Sequence, residues 1–181
     1  IVIIIITGSS IIRLILLIIT SFIFSCSSYA AEDESSLPKS VFKFTPEIVA
    51  EVSNRLRATL KSQGGDVKEK LAFELIGSDV GYNMFLVLRG NTGSSEIHTT
   101  VSDLHTAVEG RATLVLGGEL VDEYELSPGQ LRGTSIKVGT EFKLKAGDAV
   151  NIPANLAHHV VIEPGEQYMY FVYQVDSATI K

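Results

Sequence analysis

Cysteine is almost missing from this chain and tryptophan is wholly so: the 181 residues include one Cys, at position 26, and no Trp. From residue 31 onward there is no thiol at all, which excludes disulfides, thiol nucleophiles and Cys-ligated zinc from that part. Positive charge is also scarce. Lys and Arg number 15 against 21 Asp and Glu, a net charge of −6, so no nucleic-acid footprint is expected. Phosphate loops are lacking as well. Gly117-Gly118 and Ser127-Pro128-Gly129 read as turns, since no Lys-Ser/Thr follows and no helix begins there. No Ser-His-Asp nucleophile elbow is visible.

Long apolar runs are confined to the start. Ile1 to Ile6 and Leu14 to Phe24 are nearly continuous, with Arg13 the only charge before Glu32. The run closes on Ser28-Tyr29-Ala30, with small residues at −3 and −1, so residues 1–30 read as a secretory signal cleaved after Ala30. Two rivals are a retained membrane anchor over residues 1–24, near the ~20 residues a span needs, and a lipidated Cys26. The Gly8-Ser9-Ser10 break argues against the first and bulky Phe24 against the second. The expected location is therefore secreted, either extracellular or periplasmic.

Residues 31–44 form a polar, Pro-containing linker, and one helix is expected over 45–65. Thr45 is its N-cap and Pro46 its first residue, with Glu47 in the first turn. Ile48, Val52, Leu56 and Leu60, joined by Val49, make an apolar stripe, and Glu51 and Arg55 pair on another face. Gly64-Gly65 ends the helix. Such a helix packs on the body and carries no chemistry.

Over 66–181 the pattern becomes short strands with turn punctuation: 71–75, 82–88, 112–116, 135–138, 141–144, 149–152, 159–162 and 168–175. Close spacing of many short strands predicts an all-β sandwich or barrel. Within 119–145, Glu119, Asp122, Glu123 and Glu125 precede Arg132, Lys137, Lys143 and Lys145, the charge pattern of a hairpin with opposite signs across it. That explains the segment better than a binding loop does.

The four histidines fall in two clusters, within Ile97 to His105 and Pro153 to His159, each at the end of a strand-like segment. Imidazole is the commonest neutral metal ligand and the usual proton carrier near neutral pH, so the two clusters suggest one site. Gly147-x5-Pro153-x-Asn155-x2-His158 resembles the second cupin motif, G-x5-P-x-G-x2-H-x3-N, with Asn155 for Gly and Ile162 for Asn. Asn tolerates the positive φ of a tight turn better than most residues. The first cupin motif, G-x5-H-x-H-x3,4-E-x6-G, is matched in damaged form. His98 takes the first histidine and Thr100 falls on the second. Counting back from Gly110 lands on Asp103 for the carboxylate; counting forward from Thr100 lands on His105.

The resemblance covers residues from about 70 to 175 and implies a double-stranded β-helix, a cupin-type jelly-roll barrel, with the site inside. It implies a facial metal set of His98, Asp103 and His158, with His105 as a fourth ligand or a group behind the ligands. Asp103 is preferred because the run Asp103 to Gly110 resembles the family's E-x-x-Y-V-L-E-G; in a strand Asp103, His105, Ala107 and Glu109 share one face, so His105 also points inward. Such a set suits divalent Fe, Mn, Ni or Zn and leaves positions open. His159 alternates outward to solvent, Glu109 is a turn residue, and Tyr168 and Tyr170 share a face that lines the pocket or packs. The function expected is a secreted cupin that binds a divalent metal and a small organic ligand or substrate. The alternative is a non-catalytic extracellular barrel serving as a matrix, storage or carrier protein. Whether it is an enzyme stays open, as does a homodimer. Membrane contact is expected only if residues 1–24 are retained.

Overall fold

The computed structural model describes residues 41–64 and 70–180, so the signal, the anchor alternative, Cys26 and Gly65 lie outside the described residues. Helix α1 (Pro46–Ser62) starts as expected: the Thr45 hydroxyl accepts the Ile48 N–H at 3.4 Å. Val52, Leu56 and Leu60 are buried against Ala72, Leu86, Leu88 and Met169, with Val49 beside them. Each fully buried aliphatic side chain contributes roughly 1.5–3 kcal/mol. Ile48 departs from the expected stripe and is 41% exposed. A row of i,i+4 positions drifts by about 40° per step at 3.6 residues per turn, so Val49, three residues before Val52, takes its place. Arg55 reaches Glu51 at 2.7 Å and Glu74 of the sheet at 2.6 Å. Phe44, in the stretch read as linker, lies 6.0 Å from the Phe171 ring.

The strands are β1 (Leu71–Asp79), β2 (Tyr82–Arg89), β3 (Ser95–His98), β4 (Val101–Leu116), β5 (Glu119–Val121) and β6 (Tyr124–Ser127). They continue as β7 (Gln130–Gly133), β8 (Ser135–Lys137), β9 (Thr140–Lys145), β10 (Ala149–Ile152), β11 (His158–Val161) and β12 (Tyr168–Asp176). The pairings are antiparallel. The first half of β4 lies between β12 and β10, and β2 and β1 extend that sheet beyond β12. Its second half lies between β9 and β11, and β3, β7 and β6 extend the other sheet. The inner faces meet in one core in which Val87 and Val172 of the first sheet join Leu114, Leu144 and Val160 of the second. The fold is a double-stranded β-helix, the cupin-type barrel that the motifs implied, with α1 covering the outer face of one sheet. Among the described residues no helix is long and apolar enough to cross a membrane.

β4 changes sheets at Gly110, whose φ is +80° and whose missing Cβ would lie 2.0 Å from the Gln167 carbonyl oxygen. Just before it, the register against β12 slips, so that Tyr170 opposes Ala107 and Met169 opposes Glu109. The extra residue, Val108, packs toward α1. Glu109 is thus a residue of β4 and not of a turn, and the bulge corrects its expected face too, turning it out to an ion pair with Arg57 at 2.6 Å. The charged insertion is two nested ladders. Glu119 does oppose Lys137 across β5–β8, as the charge pattern predicted, but β7 pairs with β6 and, on its other side, with β3.

Gly110→Ala tests the corner. A left-handed φ and a backbone clash together should lower stability by about 2 kcal/mol or more, read as the midpoint and slope of urea unfolding. An unchanged midpoint would show that β4 does not need the turn.

Candidate metal centre

Two sheet registers assemble the site. On one sheet His158 opposes Glu96 and Glu96 opposes Arg132, so these three share a rung and a face. Two residues along β3, His98 opposes Gln130. On the other sheet Asp103 opposes Gln174, and His105 opposes Val172. The inner faces bring these rungs together around a cavity of about 270 Å³. The loop carrying His158 is fixed to the first cluster by Asn155 N–H donating to the His98 carbonyl at 2.7 Å and Ala154 N–H to the Ser102 hydroxyl at 3.0 Å. Asn155 has φ +62°, as its place in the motif predicted.

His98, Asp103, His105 and His158 are all buried. Asp103 Oδ2 lies 3.5 Å from His98 Nε2, 3.7 Å from His105 Nε2 and 3.9 Å from His158 Nε2. Glu96 Oε2 lies 3.4 Å from His98 Nε2, and Glu96, His98 and His158 offer ligand atoms within 4.8 Å of one another. These spacings are long for hydrogen bonds but near the separation of two donors each held about 2.1 Å from one ion, roughly 3.0–3.5 Å. The residues present fit a divalent metal.

The outer ring nitrogens separate the histidines. His98 Nδ1 lies 2.6 Å from Gln130 Oε1, and His158 Nδ1 lies 3.1 Å from the Leu156 carbonyl. Both partners are acceptors, so Nδ1 carries the proton and the Nε2 lone pair faces the cavity, the arrangement a ligating imidazole needs. His105 Nδ1 is buried with no hydrogen-bond partner. A bare lone pair there costs less than a stranded N–H, which puts the His105 proton on Nε2, directed at Asp103. Tyr170 packs on the His105 ring at 4.8 Å, and Tyr168 stacks on Tyr170 at 5.0 Å, so Tyr170 lines the cavity while Tyr168 fills the core.

Burial pushes the Asp103 carboxyl up, yet the neighbouring His105 and His98 imidazoles outweigh it and hold the group well below the usual carboxylate range. Burial also pushes Glu96 up, but Arg132, His158, Arg89 and His98 together leave it lowered. His98 is pulled down by burial and raised overall by Asp103 and Glu96; His158 is lowered, mainly by burial. The pocket thus keeps both carboxylates ionised.

Glu96 was missed by sequence reasoning, and the spacing could have found it. Gly90-x5-Glu96-x-His98-x4-Asp103-x6-Gly110 fits the spacing of the first cupin motif throughout, with Glu96 in place of the first histidine and Asp103 in place of the glutamate. His98 therefore stands at the second histidine position, and Thr100 lies in the turn between β3 and β4. The two conflicting counts arose from setting His98 one strand repeat too early. Gln130 and Arg132 were missed as well, because they lie in the insertion read as a plain hairpin. His159 is corrected too: it does point away from the cavity, but it is buried, with Nε2 2.9 Å from the Gly93 carbonyl.

No protein-family model matches the chain, and no curated protein matches its sequence. Solved structures similar to it include a Klebsiella pneumoniae protein described as an uncharacterized conserved protein with a double-stranded β-helix domain. The match has 13% identity over 65% of this chain and 84% of that one, with a TM-score of 0.45. TT1209 from Thermus thermophilus matches at 19% identity over 65% and 93%, TM-score 0.44. The polyketide cyclase RemF from Streptomyces resistomycificus matches at 18% over 60% and 67%, TM-score 0.42.

The tautomers are directly observable. In metal-free protein with neutral rings, ¹⁵N spectra should show protons on Nδ1 of His98 and His158 and on Nε2 of His105. An Nδ1 proton on His105 would overturn the distinction drawn between them.

Proposed function

We propose that this protein is a secreted metal-binding barrel that takes a small organic ligand or substrate in its cavity. The observation that carries the metal reading is the pair of imidazoles with tied Nδ1 atoms, His98 and His158, facing Asp103 and Glu96 in a buried pocket. His98, Asp103 and His158 hold the ion in this reading, with Glu96 as the further carboxylate. His105 positions Asp103 through its Nε2–H. Two carboxylates with two imidazoles are harder than an all-histidine set, which favours Fe(II) or Mn(II) over Ni(II) or Zn(II). A divalent ion with open positions supplies Lewis-acid polarisation of a bound oxygen. Gln130 and the Leu156 carbonyl orient the two rings, and Gln174 Nε2 donates to Asp103 Oδ1 at 3.1 Å, leaving Oδ2 toward the histidines.

A non-catalytic barrel is supported by a different observation. Glu96 already meets Arg89 at 3.2 Å and Arg132 at 3.4 Å, so its charge is compensated without an ion. Metal analysis separates the two. The purified protein should carry close to one divalent transition metal per chain. His98→Ala or His158→Ala should abolish it, Asp103→Ala should lose most of it, and His105→Phe should retain it. Protein that stays metal-free after incubation with Fe(II), Mn(II), Ni(II) and Zn(II) would leave the carrier reading standing. Loss of metal in His105→Phe with retention in Asp103→Ala would exchange the two roles.

Secretion has its own test. N-terminal sequencing of protein recovered outside the cytoplasm should find a start at or near Ala31, whereas residues 1–30 retained in a membrane fraction would favour the anchor.

A further inference from the structure

The cavity is divided. Its inner end carries the histidines, two carboxylates and two guanidiniums, while Phe73 and Phe85 stand among its apolar lining. Those two rings meet edge to face at 6.0 Å, and Phe73 is 60% exposed. β2 explains the division: Phe85, Val87 and Arg89 alternate onto the inner face, while Leu86 and Leu88 pack under α1. An aromatic edge that stays open to solvent beside a buried charged end suits a ligand with two unlike ends.

Charge selects the sign of the polar end. Glu96 and Asp103 balance Arg89 and Arg132, and imidazoles offering Nε2 are neutral, so a bound divalent ion leaves the pocket with two uncompensated positive charges. A buried excess of that kind is costly unless a counter-charge enters. Arg132 has donors to offer one. Its Nη1 donates to the Leu131 carbonyl at 2.9 Å, but Nη2 stays 3.4 Å from Glu96, beyond the ~2.7–2.9 Å of a tight charge-assisted bond. Its planar fork matches a carboxylate. A polyol would set hydroxyls against Phe73 and Phe85, and a cation would meet the excess charge directly.

We propose that the cavity binds a small carboxylate with an apolar body, its anionic end shared between the metal and Arg132 and its body against Phe73 and Phe85. The inference rests on the metal reading and narrows its ligand class. It is tested on the full chain loaded with the transition metal it takes up, by calorimetric titration with 3-phenylpropanoate, 3-phenylpropanamide, acetate and glucose. The phenyl carboxylate should bind about 10-fold or more tighter than its amide, the scale of one charge-assisted pair, and tighter than acetate or glucose. Arg132→Gln, with metal content retained, should shrink the carboxylate–amide gap, and Arg132→Lys should restore part of it. Phe73→Ala should shrink the gap between 3-phenylpropanoate and acetate and leave the carboxylate–amide gap intact. That variant tests the division of the cavity even if Arg132→Gln fails to fold. Metal uptake with equal binding of acid and amide, or with tighter binding of glucose, overturns the inference alone. Failure to take up any metal overturns the metal reading, and this inference with it.

Discussion

Everything in this fold hangs on a single strand belonging to two sheets. β4 runs from Val101 to Leu116 and pairs with β10 and β12 in its first half, then with β9 and β11 in its second. A strand of ordinary twist cannot make so sharp a transfer without a local device. Here there are two in succession, the bulge at Val108 and the left-handed Gly110. The first resets which side chains face inward, and the second lets the chain pass against the Gln167 carbonyl. Because Asp103 lies before the corner and the strand carrying His158 pairs after it, the corner decides how the carboxylate of one sheet meets the imidazoles of the other.

Buried charge is the second constraint. Glu96 and Asp103 are removed from water, which by itself would protonate them, and each is kept ionised by different company. Glu96 has two guanidiniums; Asp103 has an amide donor from Gln174 and the inner nitrogens of three imidazoles. The difference gives the two carboxylates unequal roles. Glu96 is satisfied by the protein, whereas Asp103 keeps one oxygen directed at three imidazoles that, as neutral rings, cannot all donate to it. An ion at that point would resolve the mismatch that the side chains leave.

How much of this was legible from sequence depends on the range over which each feature is decided. The helix cap, the turn at Asn155 and the inward face of Asp103 and His105 follow from local rules of φ, capping and alternation, and all are found in the structure. Ile48 and Glu109 strayed because a strict repeat was extended through a place where geometry drifts or slips by one residue. Glu96 is instructive in another way. It lies two residues before His98, hence on the same strand face, and its spacing from Gly90 was available. A search keyed to histidine passes over a carboxylate that occupies a histidine's place.

Gln130 and Arg132 could not be found by any local argument. Their segment carries alternating blocks of charge, and a simple hairpin accounts for the composition. What places them in the cavity is that β7 pairs with β3 on one side and β6 on the other, while β5 and β8 close a separate ladder. A long-range register of this kind is chosen by the burial of a whole face, since a slip by one residue would turn Gln130 and Arg132 outward. The insertion is therefore both a charged hairpin and a wall of the site. Its Gln130 accepts from His98 Nδ1, so the orientation of that ring in the first motif depends on a register formed some thirty residues away.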